Sequence, residues 1–332
     1  MRRFMILVLL AGVLWGGYWF VGKSAKYAAM SAWISERRAA GWTINYSDFR
    51  VVGFPNRFDS RFRDLDIYDP VARIGWRAPL FNILALSYQP NHIIAAFAPD
   101  QHITTGAERI RVKSSRMMAS LVFAPNTKLA VQRITLRAKD LSLISSSGWT
   151  SGAKSIAIST RQGNAPFSHE VVFDIKRISP THGLRHNLDP AGTLPKIIDT
   201  IYLDTVLGFN APWDRLAIEQ GAPEVTGIEI RKMQLGWGKL GLAAQGQLQV
   251  SKDGTISGRI RIDIRNWRGV LALFRASGVF SANLEASIRT ALGLMTAGTS
   301  KPDELSLPLT LADGQMSLGP VPLGPAPRFI RN

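Results

Sequence analysis

A chain of 332 residues with 46% hydrophobic and 19% charged residues has enough apolar material for a substantial core, which excludes a disordered polypeptide. Its 40 Lys+Arg against 24 Asp+Glu leave a formal charge of +16, which favours anionic partners such as lipid headgroups, anionic glycans or nucleic acid. The basic residues are dispersed along strand-like segments and not clustered on a helix or among stacking aromatics, so nucleic acid is set aside.

The first element is an uncharged run over residues 4–22, FMILVLLAGVLWGGYWFVG. As a helix it reaches roughly 28 Å, close to the ~30 Å hydrocarbon core of a bilayer. Arg2 and Arg3 precede it, Lys23 and Lys26 follow it, and Trp15, Tyr18 and Trp19 cluster near its far end. Amphipathic rings and snorkelling cations favour the membrane interface, so the run is expected to be a single membrane anchor. A cleaved signal peptide would need a shorter apolar region and a small-x-small site, whereas this run ends on Trp19 and Phe20. The flanking basic residues are nearly balanced and favour an extracytoplasmic body only modestly. The absence of cysteine decides nothing about the compartment.

Residues 23–41 extend the anchor as an Ala-rich juxtamembrane helix ending at Gly41, a C-cap candidate, with Tyr27, Trp33 and Ile34 expected to pack on the domain below. From Trp42 onward the period changes to two. The stretch Arg61-Phe62-Arg63-Asp64-Leu65-Asp66-Ile67 alternates, as do residues 109–113, 133–139 and, most clearly, 259–265. Alternation predicts half-buried antiparallel strands with a solvated face that is mostly basic. Asp253-Gly254 and Asp313-Gly314 between alternating runs predict hairpins. Helices are expected over residues 194–207, 267–276 and 281–295, and the Pro- and Gly-rich stretch 179–195 marks a junction. The expected fold is mainly β within the α+β class: an N-terminal transmembrane helix, then curved antiparallel meander sheets with a few short helices. The expected divisions are 1–22, 23–41, 42–185 and 186–332. Such sheets either close on one another or leave an open apolar trough large enough for a lipid.

Motifs for chemistry are weak. Gly236-Trp237-Gly238-Lys239-Leu240-Gly241 matches G-x-G-x-x-G as a string, yet strand-like alternation follows it, so it is expected to be a turn and not a dinucleotide site. His182 and His186 stand four apart, but Pro180, Gly183 and Pro190 argue against a helix there, and two loop histidines are expected instead of a metal site. No nucleophile elbow, zinc-protease motif or phosphate loop is present, and no cofactor is expected. Asp48, Asp59, Asp64 and Asp66 lie among Arg50, Arg57, Arg61 and Arg63, which favours ion pairs over a catalytic pair. In Gly53-Phe54-Pro55-Asn56-Arg57-Phe58-Asp59, Pro-Asn between aromatics predicts a rigid turn whose rings pack.

Several stretches resemble the membrane-anchored alphaproteobacterial family catalogued as domain of unknown function 2125. They are GWTINYSDFRVVGFPNRFD, WRAPLFNILALSYQPNHIIAAFAPDQ, LGWGKLGLAAQGQLQVSKDGTISGRIRIDIRNW and LPLTLADGQMSLGPVPLGPAPRF, in that order over nearly the whole chain. The resemblance implies a bacterial inner-membrane protein, single-pass, with its body in the periplasm, and it supplies no catalytic residue. At fold level the Gly-punctuated strands are also similar to AsmA-like envelope proteins, which implies long curved sheets linked to lipid handling.

The function expected from the sequence is a non-enzymatic envelope protein whose apolar sheet face meets lipid or an envelope component. Leu248, Val250, Ile260, Ile262 and Ile264 would line its core or groove. Arg259, Arg261 and Arg265 would face acidic phospholipid or envelope polymer. The alternatives are an envelope hydrolase or transferase using carboxylates between Asp59 and Asp66, and a structural scaffold of an envelope complex.

Overall fold

The structure, a computed structural model, describes every residue except 220, 277, 279–281, 298, 299 and 330–332. It is mostly antiparallel sheet behind one long helix, as the alternation predicts. Two compact units are distinguished: Met1–Pro125 with Ile134–Trp149, and residues 126–133 with Thr150–Asn332.

In the first unit, α1 runs unbroken over Arg2–Ala39. It stops in a Schellman arrangement: Gly41, at φ +89°, donates to the Arg38 carbonyl and Trp42 donates to that of Arg37. Arg37 and Arg38 in the last turn suit the negative end of the helix dipole. Arg38 Nε also donates to the Ile44 carbonyl at 2.9 Å, which ties the helix end to the first strand.

Nine strands follow: β1 (Thr43–Asn45), β2 (Asp48–Val52), β3 (Asp59–Asp69), β4 (Ile74–Leu86), β5 (Gln89–Phe97), β6 (Asp100–Thr104), β7 (Arg109–Lys113), β8 (Arg116–Phe123) and β9 (Val131–Ser145). Strand β3 pairs with β1, β2 and β4. Strand β4 divides its edge: residues 81–86 pair with β5, whereas Gly75, Trp76 and Arg77 pair with β6. The alternation expected through Ile67 is interrupted at Asp64. Arg63 pairs with Leu80 and Leu65 with Ala78, so the ladder keeps its register across Asp64, whose φ of +50° departs from strand geometry. Beyond this kink Leu65 and Ile67 lie on the face that carries Phe62, where they meet α1. Buried Trp19, Ile34, Ile44, Phe49, Val51, Phe58, Phe62 and Leu65 form the core. Phe49 stacks on Phe62 with centroids 4.5 Å apart, and Tyr27 stacks on Phe49 at 5.0 Å.

The second unit is a sequential meander: β10 (Thr150–Gln162), β11 (Ser168–Ser179), β12 (Ile198–Phe209), β13 (Val225–Trp237), β14 (Leu240–Val250), β15 (Ile256–Arg265), β16 (Glu304–Ala312), β17 (Gln315–Leu318) and β18 (Val321–Pro325). The short helices α2 (His182–Leu188), α3 (Arg215–Glu219), α4 (Trp267–Ala276) and α5 (Ala282–Thr296) lie in its connections. The helix expected over 267–276 is α4, and that expected over 281–295 is α5, with residue 281 outside the described residues.

Two expectations fail here. Residues 194–207 form no helix; most of them belong to β12, which is paired along both edges with β11 and β13. Its Ile201, Leu203, Thr205 and Leu207 follow a period of two, and two flanking ladders outweigh the local helical pattern. The 182–186 stretch is not loop but α2, where the Thr181 hydroxyl caps the Leu184 N–H at 3.2 Å.

The register aligns apolar side chains into rows across this sheet. One row runs Ile158, Phe173, Leu203, Met233, Ala244, Ile262, Leu307, each paired with the next. At its β14–β16 end the face is sealed, partly by Trp267, Leu271, Ile288 and Leu292 of α4 and α5. Along β10–β13, Ile156, Ile158, Phe173, Ile175, Leu203 and Leu235 are only half-buried.

Candidate functional site

An apolar recess in the first unit lies between α1 and the sheet. Lys26, Ala29, Met30, Trp33 and Ile34 form the helical wall, and the cavity measures about 440 Å³. Its floor is Ile44 of β1, Phe62, Leu65 and Ile67 of β3, and Phe81 and Ile83 of β4. Ridge spacing on α1 explains the wall, because residues 26, 29, 30, 33 and 34 fall on one helical face. The floor follows from register, since Phe62 pairs with Phe81, Ser60 with Ile83 and Ile67 with Trp76.

Lys26 is the one ionisable side chain in this lining among the described residues. Its ammonium donates to the Phe58 carbonyl. Burial pushes its pKa below the ordinary lysine value, and the Asp59 carboxylate opposes that shift. Asp59 is itself buried: it pairs with Arg57 Nε at 2.9 Å and accepts from the Ala85 N–H at 3.3 Å. Gly22 makes room for the Phe58 ring, because any Cβ there would overlap it. The recess is therefore an apolar groove with a lysine nearest the end of the residue 4–22 segment. That segment belongs to a helix long and apolar enough to cross a membrane.

The other residues singled out from sequence are dispersed. Leu248, Val250 and Ile260 are buried in the second unit's core, with Ile262 and Ile264 packed beside buried clusters. Arg259, Arg261 and Arg265 project exposed from the opposite face of β15. Arg261 Nε reaches Asp263 at 3.2 Å and Ser306 Oγ at 3.0 Å. The half-buried part of the apolar face lies instead on β10–β13.

The acids split along β3. Asp59 stands at its start, whereas Asp64 and Asp66 line an outer recess of about 480 Å³ with Arg77, Asp100 and His102. Each acid already has a partner: Asp66 with Arg77 at 2.6 Å, Asp64 with Ser47 Oγ at 2.6 Å, and Asp100 with Arg111. The Arg111 hydrogen bond holds the Asp100 carboxyl below the usual range. Asp48 is paired with Arg50. His182 and His186 stack with centroids 6.3 Å apart, and no cluster of three metal-ligating side chains occurs among the described residues. Gly236 to Gly241 spans the end of β13, a two-residue turn at Gly238 and Lys239, and the start of β14, with Gly238 at φ +57°.

The groove is not legible in the sequence. Met30, Trp33, Phe81 and Ile83 carried the signal only as apolar positions of separate elements.

No curated protein and no solved structure matches the chain. Residues 19–327 match the family described as an uncharacterised protein conserved in bacteria, DUF2125, and the chain belongs to that family.

Proposed function

We propose that this chain is a non-enzymatic lipid-binding protein of the bacterial envelope, held in the inner membrane by residues 4–22 with its body in the periplasm. The observation that carries the reading is the groove: an apolar recess built on the same helix, beginning one turn beyond the membrane segment and bearing a lysine at that end. An acyl segment entering from the bilayer would replace water against Met30, Trp33, Phe81 and Ile83. Burial of apolar surface contributes about 25 cal/mol per Å². An acidic headgroup would remain near Lys23, Lys26 and Arg57. The periplasmic side rests on the family resemblance and on the modest charge asymmetry. Exposed Arg259, Arg261 and Arg265 would add contacts with acidic lipid or envelope polymer.

Native mass spectrometry of the detergent-purified full chain tests this reading. Phospholipid retained at one per chain supports it. A chain that is bare under conditions that preserve its folded charge-state distribution rejects it.

A further inference from the structure

From the way α1 is gripped by two loops, we infer that the first unit is seated in the bilayer interface by an aromatic tip, with α1 as a fixed post and not a flexible tether. The tip consists of the β2–β3 loop, residues 53–58, and the β4–β5 turn, residues 87–88. The inference rests on the reading that residues 4–22 cross a membrane.

The contacts fix the depth. Trp15 Nε1 donates to Asn56 Oδ1 at 3.2 Å, Tyr18 Oη to the Ser87 carbonyl at 2.7 Å, and Trp19 Nε1 to the Arg57 carbonyl at 2.7 Å. The Phe54 ring lies 5.3 Å from that of Trp19 and 6.0 Å from that of Phe20, next to Gly16. These positions belong to the apolar run itself. Only residues 4–14 of the run precede the first loop contact, about 16 Å of helix against a hydrocarbon core of ~30 Å. A helix that crosses the core therefore takes the loop tips at least to the depth of the interface.

The composition of the tip matches that depth. Phe54 is 59% exposed and Tyr88 64%, although both are large aromatics. Just beyond them Lys23 lies over the Trp19 ring at 5.4 Å and Arg57 pairs with Asp59. Aromatic rings below and cations above are the order of a membrane–water interface.

The backbone of the tip also suits membrane depth. Irregular backbone tolerates membrane depth only where its polar groups are paired. Here Arg57 N–H bonds to the Gly53 carbonyl, Phe58 N–H to that of Ala85, and Ser87 N–H to that of Asn56. Pro55 has no N–H. Side chains of α1 take the carbonyls of Arg57, Phe58 and Ser87.

The test uses the absence of native cysteine. Single variants Leu9→Cys, Phe54→Cys, Tyr88→Cys and Val71→Cys of the full chain are labelled with an environment-sensitive fluorophore in phosphatidylglycerol-containing vesicles. Val71 is 89% exposed and next to Pro70, which packs near Gly41, at the far end of α1. Expected is a blue-shifted emission at Leu9, Phe54 and Tyr88, quenched by spin-labelled lipid, with a severalfold loss of iodide quenching relative to Val71. Iodide quenching at both Phe54 and Tyr88 equal to that at Val71, with Leu9 still quenched by lipid, overturns the seated tip alone. Leu9 accessible to iodide overturns the anchor reading as well. Tyr88 decides the outcome if Phe54→Cys disturbs the Trp19 packing.

Discussion

Trp19 and Arg57 are joined by a 2.7 Å hydrogen bond from the indole N–H to a loop carbonyl, and the Trp19 side chain is only 4% exposed. A residue of the apolar N-terminal run is thus part of the first unit's core. Trp19→Ala is expected to destabilise that unit by about 3–5 kcal/mol, through lost packing plus the cavity left. Trp19→Phe keeps most of the packing but strands the carbonyl, at about 1–3 kcal/mol. Thermal unfolding of the full chain in detergent, followed by near-ultraviolet circular dichroism, ranks the two.

Filling the groove separates its occupancy from its stability. Ala29 lines the helical wall and is exposed, so Ala29→Phe adds a ring at the opening without removing a core contact. The variant is expected to keep its unfolding temperature within a few degrees, as surface substitutions do at about ±0.5 kcal/mol. Co-purifying phospholipid, counted by mass spectrometry, should fall severalfold.

His169 gives the second unit a pH dependence. The side chain is buried on β11, with the Phe209 ring 6.1 Å away and Thr160 Oγ1 at 3.3 Å. Burial lowers its pKa below the ordinary histidine value. As pH falls below about 6.5, the unfolded chain takes up a proton that the native state resists. Stability therefore decreases with falling pH until the native value is passed. Urea midpoints between pH 7.5 and 5 should fall for the parent and change less for His169→Gln.

Gly246 lies within the β14–β15 ladder at φ +155°, opposite Ile260, and a Cβ there would overlap the Arg259 carbonyl oxygen and the Ile260 Cα. Both obstacles are backbone, so the ladder itself must shift. Gly246→Ala is expected to cost more than the roughly 1 kcal/mol by which alanine ordinarily outperforms glycine, with the opposite sign. Hydrogen exchange across β14 and β15 should rise in the variant.

Local chemistry was legible in the sequence where it acts over a few residues. Asp313 and Gly314 both take positive φ in the β16–β17 hairpin, as the Asp-Gly pair predicts, whereas in the 252–255 turn Gly254 has positive φ while Asp253 caps with its carboxylate. Gly41 stops α1, and Ile34 packs beneath it. The GFPNRFD turn does pack its rings, but their partners Trp19 and Phe20 lie more than thirty residues upstream and no local rule names them. The groove was hidden for the same reason: Met30 and Ile83 line it from a helix and a strand whose juxtaposition periodicity does not specify. Residues 194–207 mixed both periods, and only pairing on two edges decides for strand. Asp64 blurred the alternation of β3 because one residue at positive φ sets the following side chains on the face of Phe62 with no shift of register.

The account turns on lipid in the groove between α1 and the sheet. Its most direct test is photocrosslinking of a phospholipid with a diazirine near the end of its acyl chain to the full protein in vesicles, with the adducts mapped by peptide sequencing. The account predicts adducts on Met30, Trp33, Phe81 or Ile83, beyond those on the membrane helix, and their loss in Ala29→Phe. Adducts confined to residues 4–22 in the parent protein would contradict it.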